Sequence, residues 1–96
     1  MRQRYTVIVE RAPTNYSAYV PDVPGCIATG DSIEETLTTL TEALTDHLAV
    51  LHEHGQRPPE PTTALRDVTP HSLADLVTTI AVDLPAGAPQ PARMLA

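Results

Sequence analysis

The first thirty residues contain three short runs rich in β-branched and small side chains, separated by turn-forming residues. The runs are RYTVIVE, YSAYV and CIATG, at residues 4–10, 16–20 and 26–30. Runs of this length and composition are typical of strands, and the tight connections between them favour an antiparallel meander. In the second run, Tyr16, Ala18 and Val20 fall on one face of the predicted strand, because side chains alternate along a strand.

From residue 31 the apolar positions recur every three or four residues, which is the spacing of one face of a helix. The stripe consists of Ile33, Leu37, Leu40, Leu44, Leu48 and Leu51. Ser32 followed by Glu35 matches a capping box at the start of a helix. Gly55 is placed to end the helix in a left-handed conformation. The pattern therefore predicts one long helix packed against a core.

The rest of the chain is rich in proline, with one further apolar run. Residues 56–63, QRPPEPTT, contain three prolines and predict an extended linker. Thr69 and Pro70 predict the start of a helical turn. Residues 77–84, VTTIAVDL, predict a fourth strand, and residues 85–96 predict a Pro/Ala-rich flexible tail.

The order strand, strand, strand, helix, strand predicts an α+β fold over residues 1–84, with one helix covering one face of a small antiparallel sheet. We expect the fourth strand to rejoin the sheet beside the first. The opposite face has no helix to cover it, so we expect it to be polar or shared with a partner. An open face and an unpaired edge also predict self-association as a homodimer or a higher oligomer.

The stretch PDVPGC joins the second and third predicted strands. Pro24 and Gly25 fit the central positions of a type II turn, because proline fixes φ and glycine accepts a positive φ. Pro21 ends the preceding strand, and Asp22 can bond nearby backbone amides. Cys26 is the only cysteine and has no base at an identifiable spacing, so it is interpreted as a small buried apolar residue rather than a nucleophile.

The composition of the chain limits the classes of function that are expected for it. Apolar residues make up 42% and aromatic residues 3%, so the core must be aliphatic. The net charge of −6 disfavours nucleic-acid binding by this chain alone and suits a basic protein partner, although surplus acid also serves solubility. Neither a signal-peptide pattern nor a membrane-length apolar run is present in the sequence, so a cytoplasmic protein without a membrane partner is expected.

Candidate catalytic and metal-binding groups are sparse. The histidines form no pair at the spacing of a helical zinc site, and His52 and His54 suit the negative end of the helix dipole instead. We therefore predict no cofactor, no metal and no enzymatic activity. One enzymatic alternative stays open, a metal-dependent hydrolase that uses Glu10 and Asp83 near the ends of predicted strands.

The central motif YSAYVPDVPGCIATGDS, followed by a helix that begins IEE and continues with EAL and HL, resembles the HicB antitoxin family. The resemblance extends over residues 4–63, through Gly55 and the proline linker. It implies a partial ribonuclease-H-like domain of strands and one helix, without a complete nuclease site. Asn15 stands where the family commonly has glycine; asparagine tolerates the left-handed region, so the turn is expected to survive.

The resemblance also implies a partner, a HicA-like basic ribonuclease toxin that the chain would neutralise by occluding its RNA-binding surface. Our candidate contact residues are Asp22 in the turn and Asp31, Glu34 and Glu35 at the helix start. Many family members carry a C-terminal DNA-binding domain, and residues 85–96 are too few to form one, so direct DNA binding by this chain is not expected. A solitary dimeric regulator or scaffold without a toxin is the remaining alternative.

Overall fold

Four strands and one long helix make up residues 2–68 and 76–84, the parts of the chain that the structure, a computed structural model, describes. The elements in chain order are β1 (Arg2–Arg11), β2 (Tyr16–Tyr19), β3 (Ile27–Gly30), α1 (Ile33–Glu53), a short 3-10 helix (Leu65–Asp67) and β4 (Leu76–Asp83). All four predicted strands and the predicted helix are present. Their ends differ from the predicted ones by one or two residues, as is common at element boundaries.

The strands form one antiparallel sheet in the order β3-β2-β1-β4. The placement of β4 beside β1 confirms the predicted return of the last strand to the first. β4 pairs with β1 along its whole length, from Arg2 opposite Asp83 to Val9 opposite Leu76. The α+β class with one helix over one face of the sheet is also confirmed.

The core lies between α1 and one face of the sheet. Tyr5, Val7 and Val9 alternate along β1 and are at most 1% exposed. Leu40 and Leu44 of the helix are fully buried against the same layer. The other core residues are Ala18, Val20, Val23, Cys26, Ala28, Leu48, Ile80, Val82 and Leu84. A single layer of aliphatic side chains thus joins the helix to the four strands.

Both ends of α1 follow the predicted signals. The Ser32 hydroxyl accepts a hydrogen bond from the Glu35 amide at 3.0 Å, which satisfies one of the free donors of the first turn. At the other end Gly55 has a φ of 70°, and the Gln56 amide donates to the Leu51 carbonyl at 2.9 Å. This pair of features is a Schellman ending, which only a left-handed residue allows without strain.

The predicted stripe needs one correction, at its first position. Ile33 is 36% exposed, whereas Thr36 is fully buried in the first turn of α1. Thr36 fits there because its hydroxyl donates to the Ser32 carbonyl at 2.7 Å, so no polar group is left unsatisfied. A Cβ on Gly30 would lie 2.7 Å from the Thr36 hydroxyl oxygen, so glycine is required where β3 meets the helix.

The stretch PDVPGC is two consecutive turns. The Val23 amide donates to the Val20 carbonyl at 3.0 Å, and the Cys26 amide donates to the Val23 carbonyl at 3.1 Å. Pro24 and Gly25 occupy the centre of the second turn, and Gly25 has the positive φ of 85° that a type II turn needs there. The architectural interpretation of this motif is therefore confirmed.

Two sequence-based expectations fall outside the described residues: the helical turn near Pro70 and the tail at 85–96. The short 3-10 helix at Leu65–Asp67 was not predicted. The division into a domain at 1–84 and a tail at 85–96 stays a prediction.

We predict that Leu44→Ala lowers the free energy of unfolding by about 2–5 kcal/mol, because it leaves a cavity beneath a fully buried helix position. Urea unfolding followed by circular dichroism measures this loss. Val50→Ala is the matched control on the same helix, since Val50 is 50% exposed and should shift stability by no more than about 0.5 kcal/mol. Equal midpoints for both variants and the parent would contradict the assignment of the core.

Candidate functional site

Asp22 binds the proline-rich linker rather than standing free for a partner. Its carboxylate accepts hydrogen bonds from the Thr62 hydroxyl at 3.0 Å, the Thr63 hydroxyl at 2.8 Å and the Thr63 amide at 2.9 Å. These donors lie about forty positions further along the chain, so the expected bonds to nearby amides are replaced by bonds to a distant segment. Asp22 is half-buried and its acceptor capacity is largely used.

Two neighbours on β1 hold the same linker. The Tyr5 hydroxyl donates to the Pro59 carbonyl at 2.6 Å, and the Thr6 hydroxyl donates to the Thr63 carbonyl at 2.7 Å. Because successive side chains of a strand point to opposite faces, the linker passes from the helix face to the other face of the sheet between these two contacts. We call the contacts made by Tyr5, Thr6 and Asp22 the linker clamp.

The clamp changes the ionisation of Tyr5. Burial, with a smaller contribution from the Asp22 carboxylate, raises the pKa of Tyr5 from 10.0 to about 12. Both causes act in the same direction, because the phenolate would be poorly solvated and would lie near a negative charge. The hydroxyl therefore stays a hydrogen-bond donor to Pro59 throughout the neutral range.

The other three candidate contact residues do lie together. Asp31, Glu34 and Glu35 are all exposed at the start of α1. Asp22 is remote from them: it follows β2 just beyond Tyr19, whereas Asp31 follows Gly30, which pairs with Tyr16 at the other end of β2. The predicted set of four is thus one group of three exposed acids and one clamp residue.

The sequence reasoning missed an acidic stripe along the rest of the helix. Glu35, Glu42, Asp46 and Glu53 are exposed and fall within about 40° of one another around the axis at 3.6 residues per turn. They lie opposite the buried leucines, and α1 contains no lysine or arginine. We call Asp31, Glu34 and these four residues the acidic helix face. The helical periodicity that predicted the leucine stripe would also have predicted the acidic stripe.

An apolar row crosses the face of the sheet opposite α1. The strand registers place Ile27 opposite Tyr19, Tyr19 opposite Ile8, and Ile8 opposite Val77, so the row reaches every strand. Ile27 is 61% exposed, whereas Ile8 is 8% exposed. At the Ile27 end an open pocket of about 330 Å³ continues the row; the turn residues Pro21, Val23, Pro24 and Gly25 contribute to its lining. The face that was expected to be polar or shared is therefore partly apolar.

The hydrolase alternative does not assemble in this fold. Asp83 pairs with Arg2 at one end of β1, whereas Glu10 pairs with Ser17 near the other end. Eight residues of strand separate the two positions, which is about 26 Å at 3.3 Å per residue. Carboxylates that share a pair of metal ions must lie far closer than this. Asp83 is instead bound to Arg2, with 3.5 Å between Oδ1 and Nε.

The surroundings of Cys26 and His54 do not favour catalysis. Cys26 is 5% exposed, and burial raises the pKa of its thiol, which disfavours the reactive thiolate. His54 is exposed at the end of α1 and its Nδ1 lies 2.8 Å from the Val50 carbonyl. Within residues 2–68 and 76–84, no three metal-binding side chains converge.

In the same parts of the chain, no helix is long and apolar enough to cross a bilayer.

Comparison with known proteins identifies a family. A family model described as "HicB_like antitoxin of bacterial toxin-antitoxin system" matches residues 5–94. A curated relative, an uncharacterized 14.9 kDa protein in the rep-hol intergenic region of Haemophilus phage HP1, is 30% identical over 81 residues, which are 83% of this chain. The aligned region spans 61% of that relative's length.

Solved structures share the fold. The N-terminal domain of antitoxin HicB from Burkholderia pseudomallei superposes with a TM-score of 0.73 at 22% identity, covering 85% of this chain and all of that domain. A HicA3 and HicB3 toxin-antitoxin complex gives 0.67 at 18% identity, covering 84% of this chain and 99% of that one. A toxin-antitoxin complex from Streptococcus pneumoniae gives 0.70 at 19% identity, covering all of this chain and 82% of that one.

We predict that Asp22→Asn loosens the linker, because an amide cannot accept all three bonds and would leave a donor unpaired. The free energy of unfolding should fall by about 1–3 kcal/mol, and trypsin should cleave faster after Arg66, just beyond the clamp. Asp46→Asn makes the same chemical change on the exposed side of α1 and serves as the control. If both variants matched the parent in stability and cleavage, the linker clamp would have no energetic role.

A second prediction concerns alkaline pH. Between pH 10 and about 12 the unfolded tyrosine loses its proton and the folded Tyr5 keeps it, so the free energy of unfolding should fall as pH rises through this range. Tyr5→Phe should flatten this part of the profile and cost about 0.5–1.5 kcal/mol at pH 7 through the lost bond to Pro59. The chain contains no lysine, so few other groups titrate there. Urea unfolding across pH, with Tyr16→Phe as control, tests this; an unchanged slope in Tyr5→Phe would refute it.

Proposed function

The chain belongs to the HicB-like antitoxin family, and we propose that it neutralises a HicA-like basic ribonuclease toxin by covering the toxin's RNA-binding surface. The family match over residues 5–94 supports an antitoxin role. Two of the similar solved structures are toxin-antitoxin complexes, which supports a toxin as the partner. Neutralisation by binding requires no reaction, so the chain acts stoichiometrically and not as an enzyme.

The observation that carries the proposal is the acidic helix face. Its six exposed carboxylates, Asp31, Glu34, Glu35, Glu42, Asp46 and Glu53, lie on or next to a helix that contains no lysine or arginine. A protein that cleaves RNA must attract phosphates, so its RNA-binding surface is basic. A row of carboxylates with the spacing of a helix can occupy such a surface in place of the RNA backbone.

Charged contacts and apolar contacts have different roles in this proposal. Complementary charge accelerates encounter and selects the partner, whereas desolvated apolar contacts set the lifetime of the complex. Val50 is exposed one turn after Asp46 on nearly the same side of α1 and can supply such a contact. Asp22 takes no part in the contact, because its carboxylate is engaged with the linker.

Two further parts of the proposal concern other partners. The net charge of −6 opposes approach to a phosphate backbone, so the chain alone does not bind operator DNA. A role as a solitary regulator without a toxin predicts no basic protein encoded beside it. Co-expression with the neighbouring reading frame, followed by co-purification, separates this alternative from an antitoxin.

The prediction about charge compares two triple variants, each of which removes three carboxylates. Asp31→Asn, Glu34→Gln and Glu35→Gln together should slow association with the purified toxin roughly tenfold at low salt and flatten its salt dependence. The matched control removes three carboxylates elsewhere, through Glu60→Gln, Asp67→Asn and Asp83→Asn, and should alter the rate much less. Stopped-flow fluorescence gives the rates, and circular dichroism checks that the helix survives with Ser32 still capping it.

RNA cleavage assays complete the test. The parent chain should suppress cleavage by the toxin at a one-to-one ratio, and failure to do so would contradict the antitoxin proposal itself. A second outcome is that the parent suppresses cleavage but the triple variant at the helix start associates with the toxin as fast as the triple control variant. The antitoxin role then stands, and the helix start is not the contact surface. The apolar row is then the next surface to test.

A further inference from the structure

The sheet face opposite α1 is covered over β1 and open over β3. Thr6 and Ile8 of β1 lie on this face, yet they are only 4% and 8% exposed. The Thr6 hydroxyl is bound to the linker, and the 3-10 helix that follows the linker contacts β4. On β3, by contrast, Ile27 is 61% exposed, the highest value among the exposed large apolar side chains of the described residues. The apolar row therefore ends in a solvent-exposed side chain.

The open pocket of about 330 Å³ lies at this exposed end of the row. Tyr19, Ile27 and the two turns that join β2 to β3 line it, and no charged side chain is part of the lining. One aromatic ring and two prolines contribute to the surface. Grooves lined by aromatic side chains are the surfaces on which extended, proline-rich segments dock. The pocket thus suits an apolar, proline-rich occupant and offers no ion pair to a charged one.

The end of β4 lies within reach of this pocket. Asp83 of β4 pairs with Arg2, and Tyr19 of β2 pairs with Ile8 of the same strand β1. The turns that line the pocket continue beyond Tyr19 toward the end of β1 at which β4 finishes. Six strand positions and two strand spacings separate Asp83 from Tyr19, which is about 22 Å at 3.3 Å per residue and 4.8 Å per strand.

The sequence that follows β4 has the composition that the pocket requires. Residues 85–96, PAGAPQPARMLA, contain three prolines, no acidic residue and one cation, Arg93. Their two large apolar side chains are Met94 and Leu95. A proline-rich chain spans about 3.1 Å per residue, so the eleven steps from Asp83 to Met94 can bridge about 34 Å. This length exceeds the distance to the pocket.

Charge and tethering favour this segment over a separate molecule. A basic toxin is attracted to carboxylates, and the lining of the pocket has none. The net charge of −6 repels a second copy of the chain, whereas Arg93 gives residues 85–96 the opposite sign. A segment on a short tether has an effective concentration of roughly a millimolar, which a free partner seldom reaches. Methionine also suits an irregular pocket, because its side chain is flexible and polarizable.

We propose that the pocket beside Ile27 is a docking site for residues 85–96 of the same chain, with Met94 and Leu95 as the apolar anchors. Docking covers the exposed end of the apolar row with apolar side chains that the chain itself supplies. It leaves the acidic helix face uncovered, because that face lies on the other side of the sheet. This inference does not depend on the proposed function, since it concerns a separate surface.

The experiment uses the full chain with ¹³C-labelled methionine methyl groups. Met94 and Met1 are the only methionines, so the Met94 signal is identified by its loss in Met94→Leu. We expect nuclear Overhauser effects between the Met94 methyl group and the side chains of Tyr19 and Ile27. Ile27→Asn should abolish them. Thr29→Asn is the matched control and should leave them unchanged, because Thr29 is exposed on the same face of β3.

Two further measurements keep the test independent of folding and of association. Leu95→Asn alters the segment and not the sheet, and it should weaken the same contacts while circular dichroism stays unchanged. Isotope-filtered spectra of labelled chain mixed with unlabelled chain separate contacts within one chain from contacts between chains. Four results would each overturn the proposal: no contact from Met94 to the pocket, contacts only between chains, contacts that persist in Ile27→Asn, or an equal loss in Thr29→Asn.

Discussion

Leu40, Leu44 and Leu48 of α1 share one buried cluster with the valines and tyrosine of β1, and the remaining features of the chain follow from this one core. A core with only one helix can cover only one face of the sheet. The second face of the sheet carries the apolar row and is crossed by the linker. The two outer strands, β3 and β4, form edges of unequal length. The carboxylates of α1 then lie on the surface of the helix that the core does not use.

The linker clamp explains how so small a core accommodates a fourth strand. Residues 56–64 form the first part of the connection from the end of α1 to β4, and they pass the sheet on the way. An extended, proline-rich segment has few internal hydrogen bonds, so its polar groups need partners elsewhere. Asp22, Tyr5 and Thr6 provide them, and they fix the path of the linker at the point where it changes face. The carboxylate in PDVPGC thereby has a structural role that its turn position alone would not reveal.

Local signals were readable in the sequence, and contacts between distant residues were not. The leucine spacing, the Ser32 cap, Gly55 and the Pro24-Gly25 turn each depend on neighbours within a few positions, and the structure confirms them. Thr36 was not predicted as a core residue, because its burial depends on the absence of a side chain on Gly30. The bonds of Asp22 to the linker were not predicted, because their donors lie about forty positions away in the sequence. The acidic stripe was readable in principle, since it has the same period as the leucines.

The account assigns the acidic helix face to a basic toxin. An NMR titration of the isotope-labelled chain with a catalytically silent toxin tests this assignment directly, because it reports every backbone amide at once. The account predicts the largest shifts along α1, from Asp31 to Glu53, with β4 little changed. Shifts concentrated on Ile27, Tyr19 and the PDVPGC turns, with α1 unaffected, would contradict it.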